Sequence, residues 1–214
     1  MSDHIIKISR SAASAVFSGR EVALSEMLDA RERRVYRQQQ LLQEYGKPLI
    51  CFTMNIAGPV KNSEIIRDGF DLGCEMLKEH LAHADGTAFQ TGTSQPGAAS
   101  SGGIPVLFSE EVHETTGNEA HYVVDADPLE VKKISTAIED GSDLGRLFDM
   151  DILRPDGTKV DRKELDLPVR QCLICGKPAK ECGRSRTHSV EELQERTAEI
   201  LIAAIQKPGD CGSE

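Results

Sequence analysis

The stretch Arg146–Leu153, RLFDMDIL, decides the fold because apolar and acidic side chains alternate along it with the two-residue period of a β-strand. Side chains at i and i+2 of a strand point to one face, so Asp149 and Asp151 are predicted to stand side by side, about 7 Å apart at Cα. Leu147 and Leu153 are expected beside them on that face. The opposite face is predicted to be buried and carries Phe148, Met150 and Ile152.

The two aspartates form a candidate metal site, since neighbouring carboxylates on a hydrophobic strand repel each other unless a cation lies between them. Mg²⁺ suits such a pair because it binds carboxylate oxygens and keeps waters and substrate phosphates as its other ligands. Arg146, three residues before Asp149, is a candidate phosphate ligand. The alternative is an edge strand with a solvated acidic face, on which Arg146 is a surface ion-pair partner.

A second candidate site lies earlier in the chain. The run Leu49–Ile56, LICFTMNI, is apolar and uncharged, which predicts a buried strand. A Gly-Pro turn follows, and Asn62 or Ser63 can cap a helix running to about residue 83. The free N–H groups at a helix start favour phosphate, and Lys61 adds a full positive charge. The alternative is an ordinary strand-to-helix connection with an exposed lysine.

A long helix is predicted over Glu21–Tyr45, which lacks Gly and Pro and is rich in Leu, Glu, Gln and Arg. At 100° per residue, Arg31 and Arg34 share one face of it, and Arg33 and Arg37 share an adjacent face. This arginine band could receive a polyphosphate or an acidic partner protein. Interleaved acidic residues leave open a solvent face held by ion pairs four residues apart.

The rest of the chain intersperses short strands and helices, which indicates an α+β fold with a small mixed sheet and flanking helices. A nucleotidyltransferase-like sheet is one such arrangement. We expect an N-terminal arm at residues 1–20, one domain over 21–205 with a flexible Gly/Ser/Thr-rich insert or lid at 85–103, and a tail at 206–214. Further strands are predicted at Ile104–Phe108, at His121–Val124 and after Gly157, and further helices at Pro128–Asp140 and Ser189–Ile205.

A cysteine-rich knuckle at residues 170–188 precedes the last predicted helix. The Cys-x-x-Cys-Gly turn at Cys172 and Cys175 resembles a zinc knuckle, in which the glycine lets two thiolates face one ion. Cys182 and His188 could complete a Cys₃His set of ligands. Reduced structural thiols and a redox dithiol are the alternatives.

Composition limits the class of protein. With 35 acidic and 25 basic side chains the net charge is −10, which argues against a general nucleic-acid-binding protein. No apolar run approaches the length of a membrane span, and no secretory signal is evident at the first residues, so a cytoplasmic location is the expectation. The six cysteines are then expected to be reduced, metal-bound or reactive rather than bridged.

Four segments in order carry a family resemblance: ARERRVYRQQ at Ala30–Gln39, PLICFTMNIAGPVKNS at Pro48–Ser63, GRLFDMDIL at Gly145–Leu153, and RQCLICGKPAKECGRSRTH at Arg170–His188. Together they resemble the phosphoribosyl-dephospho-CoA transferases that make the holo form of the citrate lyase acyl carrier protein. The resemblance covers roughly residues 20–205.

This resemblance implies a nucleotidyltransferase-type reaction. A serine of the apo acyl carrier protein, the gamma subunit of citrate lyase, attacks the ribose-linked phosphorus of 2′-(5″-triphosphoribosyl)-3′-dephospho-CoA, and pyrophosphate leaves. Asp149 and Asp151 then become ligands of Mg²⁺, and Arg146 and Lys61 bind phosphates. Weaker phosphate candidates are Arg31, Arg34 and Arg184, and a third carboxylate, as base or ligand, is Glu139 or Glu164.

Two other classes of function remain open at this point. One is a zinc-stabilised binding module without catalysis, centred on residues 172–188; the other is a dithiol oxidoreductase using Cys172 or Cys175. Carrier proteins are usually acidic, so docking on this acidic chain would need a local basic face such as Arg31–Arg37.

Overall fold

The computed structural model describes residues 10–84 and 102–206. The chain forms the helices α1 (Arg10–Val16), α2 (Leu24–Tyr45), α3 (Glu64–His83), α4 (Pro128–Gly141), α5 (Ala179–Ser185) and α6 (Val190–Ile205). The strands are β1 (Leu49–Met54), β2 (Val106–Glu114), β3 (Gly117–Val124) and β4 (Phe148–Leu153). Short 3-10 turns lie at Gly145–Leu147 and Arg162–Leu165. The predicted α+β class is confirmed.

The four strands form one sheet in the order β2-β3-β1-β4. All three pairings are antiparallel, whereas the sequence had led us to expect a mixed sheet. The sheet is antiparallel throughout because β2 and β3 form a hairpin and β1, which lies between β3 and β4, runs opposite to both. In the register of β1 and β4, Thr53 faces Asp149 and Cys51 faces Asp151.

Strand β4 alternates as its sequence predicts. Phe148, Met150 and Ile152 are fully buried in the main core, which α3, α4 and α6 complete, and the two aspartates and Leu153 on the other face are half-buried. On the aspartate face, α2 covers the sheet through a second apolar cluster that contains Leu41, Leu49 and Cys51. Leu147 departs from the prediction: the 3-10 turn before β4 places its side chain in the main core, so it does not flank the aspartates.

The outer edge of β4 is closed by side chains. Lys132 Nζ donates to the Met150 carbonyl at 3.0 Å, and the Met150 N–H donates to Glu139 Oε1 at 2.7 Å. Arg170 donates to the carbonyl of Phe148 on the same edge. Lys132 and Glu139 are both buried on α4. Their side chains therefore occupy backbone groups of the β4 edge that a neighbouring strand would otherwise bind.

The helix ends follow the local signals in the sequence. Gly46 adopts a left-handed φ of 60° and terminates α2, and the Ser63 hydroxyl accepts the Ile66 N–H to begin α3. Asp127 caps α4 and Ser189 caps α6 in the same way. Within the part of the chain that the structure describes, no helix has the length and apolarity needed to cross a membrane.

Four regions differ from the sequence-based expectation or fall outside it. Residues 10–16 of the expected arm form α1, which packs on α3 and α6 and buries Val16; seven residues are too few for a helical period to be visible. The β2–β3 hairpin is longer than the two strands predicted within it. After Gly157 a single bridge joins Lys159 to Leu153 in place of a strand. Most of the insert expected at 85–103 lies outside the described residues.

Candidate functional site

A cavity of about 210 Å³ lies where α2, the end of β1, the start of α3 and the β2–β3 turn meet. Four residues that the sequence singled out in separate segments line it: Arg31, Arg34, Lys61 and Asp149. We call this the basic cavity because three of the four are cationic. The fold therefore brings the predicted anion site at β1–α3, the arginine band and one predicted metal ligand to one place.

Lys61 is held at the wall of the basic cavity. Its Nζ donates to the Ile56 carbonyl at 2.6 Å, which fixes the side chain against the loop after β1. Burial lowers the pKa of Lys61, and the charge of Arg31 lowers it further. Within the described residues Lys61 has no ion pair, so an anion in the cavity would relieve both effects.

The arginine band divides into paired and unpaired members. Arg31 is exposed and makes no ion pair with any described residue. The other three bind acidic residues of the β2–β3 hairpin: Arg33 to Glu114 at 2.6 Å, Arg37 to Glu110 at 2.8 Å, and Arg34 to Glu119. These ion pairs anchor α2 on the hairpin instead of linking residues four apart on the helix. The open basic face expected over Arg31–Arg37 is therefore reduced mainly to Arg31.

Asp149 and Asp151 share one face of β4, and each has a cationic neighbour. Arg170 Nη1 lies 3.4 Å from Asp149 Oδ1, and Lys159 Nζ lies 2.5 Å from Asp151 Oδ1. Burial raises the pKa of Asp149, and the charge of Asp151 raises it further. A carboxylate whose charged form is destabilised by burial and by a neighbouring carboxylate is suited to a divalent cation. The Mg²⁺ site stays a prediction.

The two candidate third carboxylates have structural partners. Glu139 is buried, and its Oε2 binds Arg162 at 2.6 Å while its Oε1 holds the edge of β4. Glu164 pairs with Arg154 at 2.5 Å and caps the second 3-10 turn. Of these two glutamates, only Glu139 affects Asp149: the charge of Glu139 helps to raise the pKa of Asp149.

A second, larger cavity of about 820 Å³ lies between the turn before β4, the cysteine-rich segment and α6. Arg146 lines it and donates to the carbonyls of Gln171 at 3.0 Å and Cys172 at 3.2 Å. Asn55 and Ile56 line both cavities, so the two are adjacent. The apolar part of the lining includes Ile56, Leu147, Leu173, Val190 and Leu193.

Several site residues were not found from the sequence. Arg184 is exposed on α5 and lines neither cavity, whereas Arg186 lines the large one. Helix α5 ends at Ser185; the next residue, Arg186, has a left-handed φ of 47°, and no sequence signal marks that position. Arg170 and Lys159, the partners of the aspartates, lie on segments whose placement is set by tertiary contacts. Arg170 stands within the fourth family segment, and this was the one available indication.

The cysteine cluster, which we define as Cys172, Cys175, Cys182 and His188, lies directly before α6. One donor atom from each residue lies within 4.8 Å of every other. Burial acts to raise the pKa of the Cys172 thiol, but backbone N–H groups of the turn outweigh it, and the pKa is lowered. The predicted knuckle before the C-terminal helix is confirmed as a spatial cluster.

Together, an α+β fold, a basic cavity beside paired aspartates and an adjacent large cavity define a protein suited to a phosphate-bearing ligand of some length. The family model described as apo-citrate lyase phosphoribosyl-dephospho-CoA transferase matches residues 22–102 and 87–204. The chain belongs to that family, as the four segments indicated.

Individual relatives agree with the family model. Over 203 residues the chain is 35% identical to the probable apo-citrate lyase phosphoribosyl-dephospho-CoA transferase of Streptococcus pyogenes serotype M18, covering 92% of this chain and 94% of the relative. Over 180 residues it is 31% identical to the apo-citrate lyase phosphoribosyl-dephospho-CoA transferase of Citrobacter koseri, covering 84% and 88%.

Proposed function

We propose that this protein transfers the prosthetic group of 2′-(5″-triphosphoribosyl)-3′-dephospho-CoA to a serine of the citrate lyase acyl carrier protein and releases pyrophosphate. The observation that carries the proposal is the convergence of Arg31, Arg34 and Lys61 on one cavity beside Asp149. A triphosphate needs several cations at one place, and these come from α2 and from the loop before α3. Family membership supports a transferase over a non-catalytic binding module.

The two cavities suggest how the substrate is divided. The triphosphate would occupy the basic cavity, where Lys61 and Arg31 have no ion pair among the described residues. The dephospho-CoA portion would extend past Asn55 and Ile56 into the large cavity, whose volume of about 820 Å³ falls within the range for ligand sites. Arg146 and Arg186 line that cavity and are available to its phosphate groups.

In the reaction, the serine oxygen forms a new P–O bond, the P–O bond to pyrophosphate breaks, and the serine proton passes to solvent or to the departing pyrophosphate. Positioning and charge neutralisation are the main tasks of the protein in phosphoryl transfer. Lys61 and Arg31 would hold the leaving pyrophosphate, and Asp149 and Asp151 would hold Mg²⁺. The ion, when bound, would neutralise charge on the phosphates.

Mass spectrometry tests this proposal directly. Apo acyl carrier protein is incubated with the enzyme, the triphosphoribosyl derivative and Mg²⁺, and its mass is expected to rise by that of the prosthetic group while pyrophosphate appears in equal amount. A carrier whose acceptor serine is replaced by alanine is the matched control and should gain no mass. Absence of both products with folded enzyme would refute the proposal.

A further inference from the structure

The cysteine cluster has the geometry of a closed metal site. Cys175 Sγ and Cys182 Sγ are 3.5 Å apart, and all four donor atoms lie within 4.8 Å of one another. Two thiolates on one tetrahedral Zn²⁺, with Zn–S bonds of about 2.3 Å, lie about 3.8 Å apart. The cluster is therefore close to the ligand spacing that zinc requires, with three sulfurs and one imidazole nitrogen.

The backbone holds the first two ligands as a knuckle does. Gly176, directly after Cys175, has a left-handed φ of 71°, which an L side chain rarely adopts. The Cys172 N–H donates to the Lys177 carbonyl at 2.6 Å, and the Gly176 N–H donates back to the Cys172 carbonyl at 3.3 Å. This tight turn brings both thiols to one side of the chain.

The other two ligands arrive from the following helix and its end. Helix α5 carries the buried Cys182, and the chain leaves the helix at Arg186, where a left-handed φ of 47° reverses its direction. The Thr187 N–H donates to the Cys182 carbonyl at 3.1 Å, which places His188 over the thiols. The turns at Gly176 and Arg186, each with a left-handed residue, thus bring the four side chains of the cysteine cluster together.

A second observation points independently to a ligand. His188 Nε2 is fully buried and has no hydrogen-bond partner among residues 10–84 and 102–206. A buried imidazole nitrogen without a partner is costly, because it has lost its water without a replacement. A metal ion at the centre of the cluster would satisfy this nitrogen and the three thiols together.

We propose that Cys172, Cys175, Cys182 and His188 bind one Zn²⁺ in a four-coordinate structural site. Four protein ligands leave no open position for water or substrate, which distinguishes structural from catalytic zinc sites. The site stands apart from the Mg²⁺ expected at Asp149 and does not depend on the proposed reaction.

The zinc site would shape the large cavity. Three members of the cluster line that cavity, and the Cys172 carbonyl accepts a hydrogen bond from Arg146. Without the ion, the segment between Gln171 and α6 is held by few apolar side chains, since Cys172 and Cys182 are its buried hydrophobic residues and Leu173 is only partly buried against the main core. Zinc would thus fix the wall that carries Arg186 and that Arg146 contacts through the Cys172 carbonyl.

Metal analysis of the full-length protein, purified without chelators from zinc-supplemented cells, tests the proposal. We expect about one zinc per chain. Cys175 is exposed, so Cys175→Ser removes a ligand without opening the core and should lower the zinc content several-fold. Cys51→Ala is the matched control, because it removes a buried thiol outside the cluster and should leave the zinc content unchanged.

Cobalt and protease measurements keep the test independent of variant folding. Co²⁺ added to the metal-depleted wild-type protein should give thiolate-to-cobalt charge-transfer absorption and the strong visible bands of a tetrahedral site. Trypsin should cut the depleted protein after Lys180, Arg184 and Arg186 and spare the zinc-loaded protein, whereas Lys177 precedes a proline and is not a cleavage site. Zinc-free purified protein that gives no charge-transfer band with Co²⁺ would overturn the proposal, as would equal zinc content in wild type and Cys175→Ser.

Discussion

Replacing Lys61 by methionine tests the basic cavity most directly. Methionine keeps an unbranched side chain of similar length but removes the ammonium that donates to Ile56 at 2.6 Å. The fold already disfavours the charged form, since burial and Arg31 lower the pKa of Lys61, so loss of the charge offsets part of the lost hydrogen bond. We therefore expect Lys61→Met to fold.

The size of the effect follows from the kind of contact that is lost. A hydrogen bond between a charged group and a phosphate contributes about 1.5–3 kcal/mol. At about 1.4 kcal/mol per factor of ten, the KM for the triphosphoribosyl derivative should rise about 10- to 150-fold. The KM for the carrier protein should stay within a factor of about two, since the contact is with the small substrate.

The pH dependence gives a second readout. Because the pKa of Lys61 lies below that of an exposed lysine, its charge is lost at lower pH as the solution becomes alkaline. The value of kcat/KM, which reports the free enzyme, should therefore fall on an alkaline limb below the ordinary lysine range. Lys61→Arg keeps its charge throughout and should lose that limb.

Lys78→Met is the matched control for both measurements. Lys78 lies on α3, pairs with Glu111 at 2.7 Å and is not part of the basic cavity. Its removal should leave both KM values and the alkaline limb unchanged. The reasoning fails if folded Lys61→Met binds the triphosphoribosyl derivative as tightly as wild type, or if both lysine variants weaken it equally.

Three further predictions concern other parts of the site. Asp149→Asn and Asp151→Asn should each lower turnover at least about 100-fold, or about 2.7 kcal/mol, and near-normal turnover of both at saturating Mg²⁺ would exclude the metal site. Glu139→Ala should lower the free energy of unfolding, measured by urea titration, by about 1–3 kcal/mol because the buried Met150 N–H loses its acceptor, while Arg162 keeps its ion pair with Asp140; a change below about 0.5 kcal/mol would contradict this. Arg31→Gln should flatten the salt dependence of carrier association, and the already paired Arg37 should matter less; equal slopes would place docking elsewhere.

The elements with strong local signals were predictable from the sequence. The alternation at β4 placed both aspartates on one face, and the serine caps and Gly46 set helix ends close to those observed. These features depend on residues within a few positions of one another. Family resemblance then supplied the functional class, which physical patterns alone left open.

The remaining features depend on contacts between distant segments. Residues 110–119 of the β2–β3 hairpin are polar, and their glutamates bind arginines of α2, so this part of the hairpin lacks the apolar alternation that marks a strand. The partner of Asp149 is Arg170, 21 residues later, and no spacing rule connects the two. Whether Arg184 or Arg186 reaches a cavity depends on where a seven-residue helix ends.

The closed edge of β4 limits how the protein can aggregate. Strand addition there must displace buried Lys132 and Glu139, whereas at the other end of the sheet β2 has no further strand beside it within the described residues. A sheet with one open edge can join a second copy edge to edge, and the pair then offers no further edge. Strand addition is thus directed to the β2 edge, and loss of Glu139 would weaken the barrier at β4, where Lys132 and Arg170 still bind the edge carbonyls.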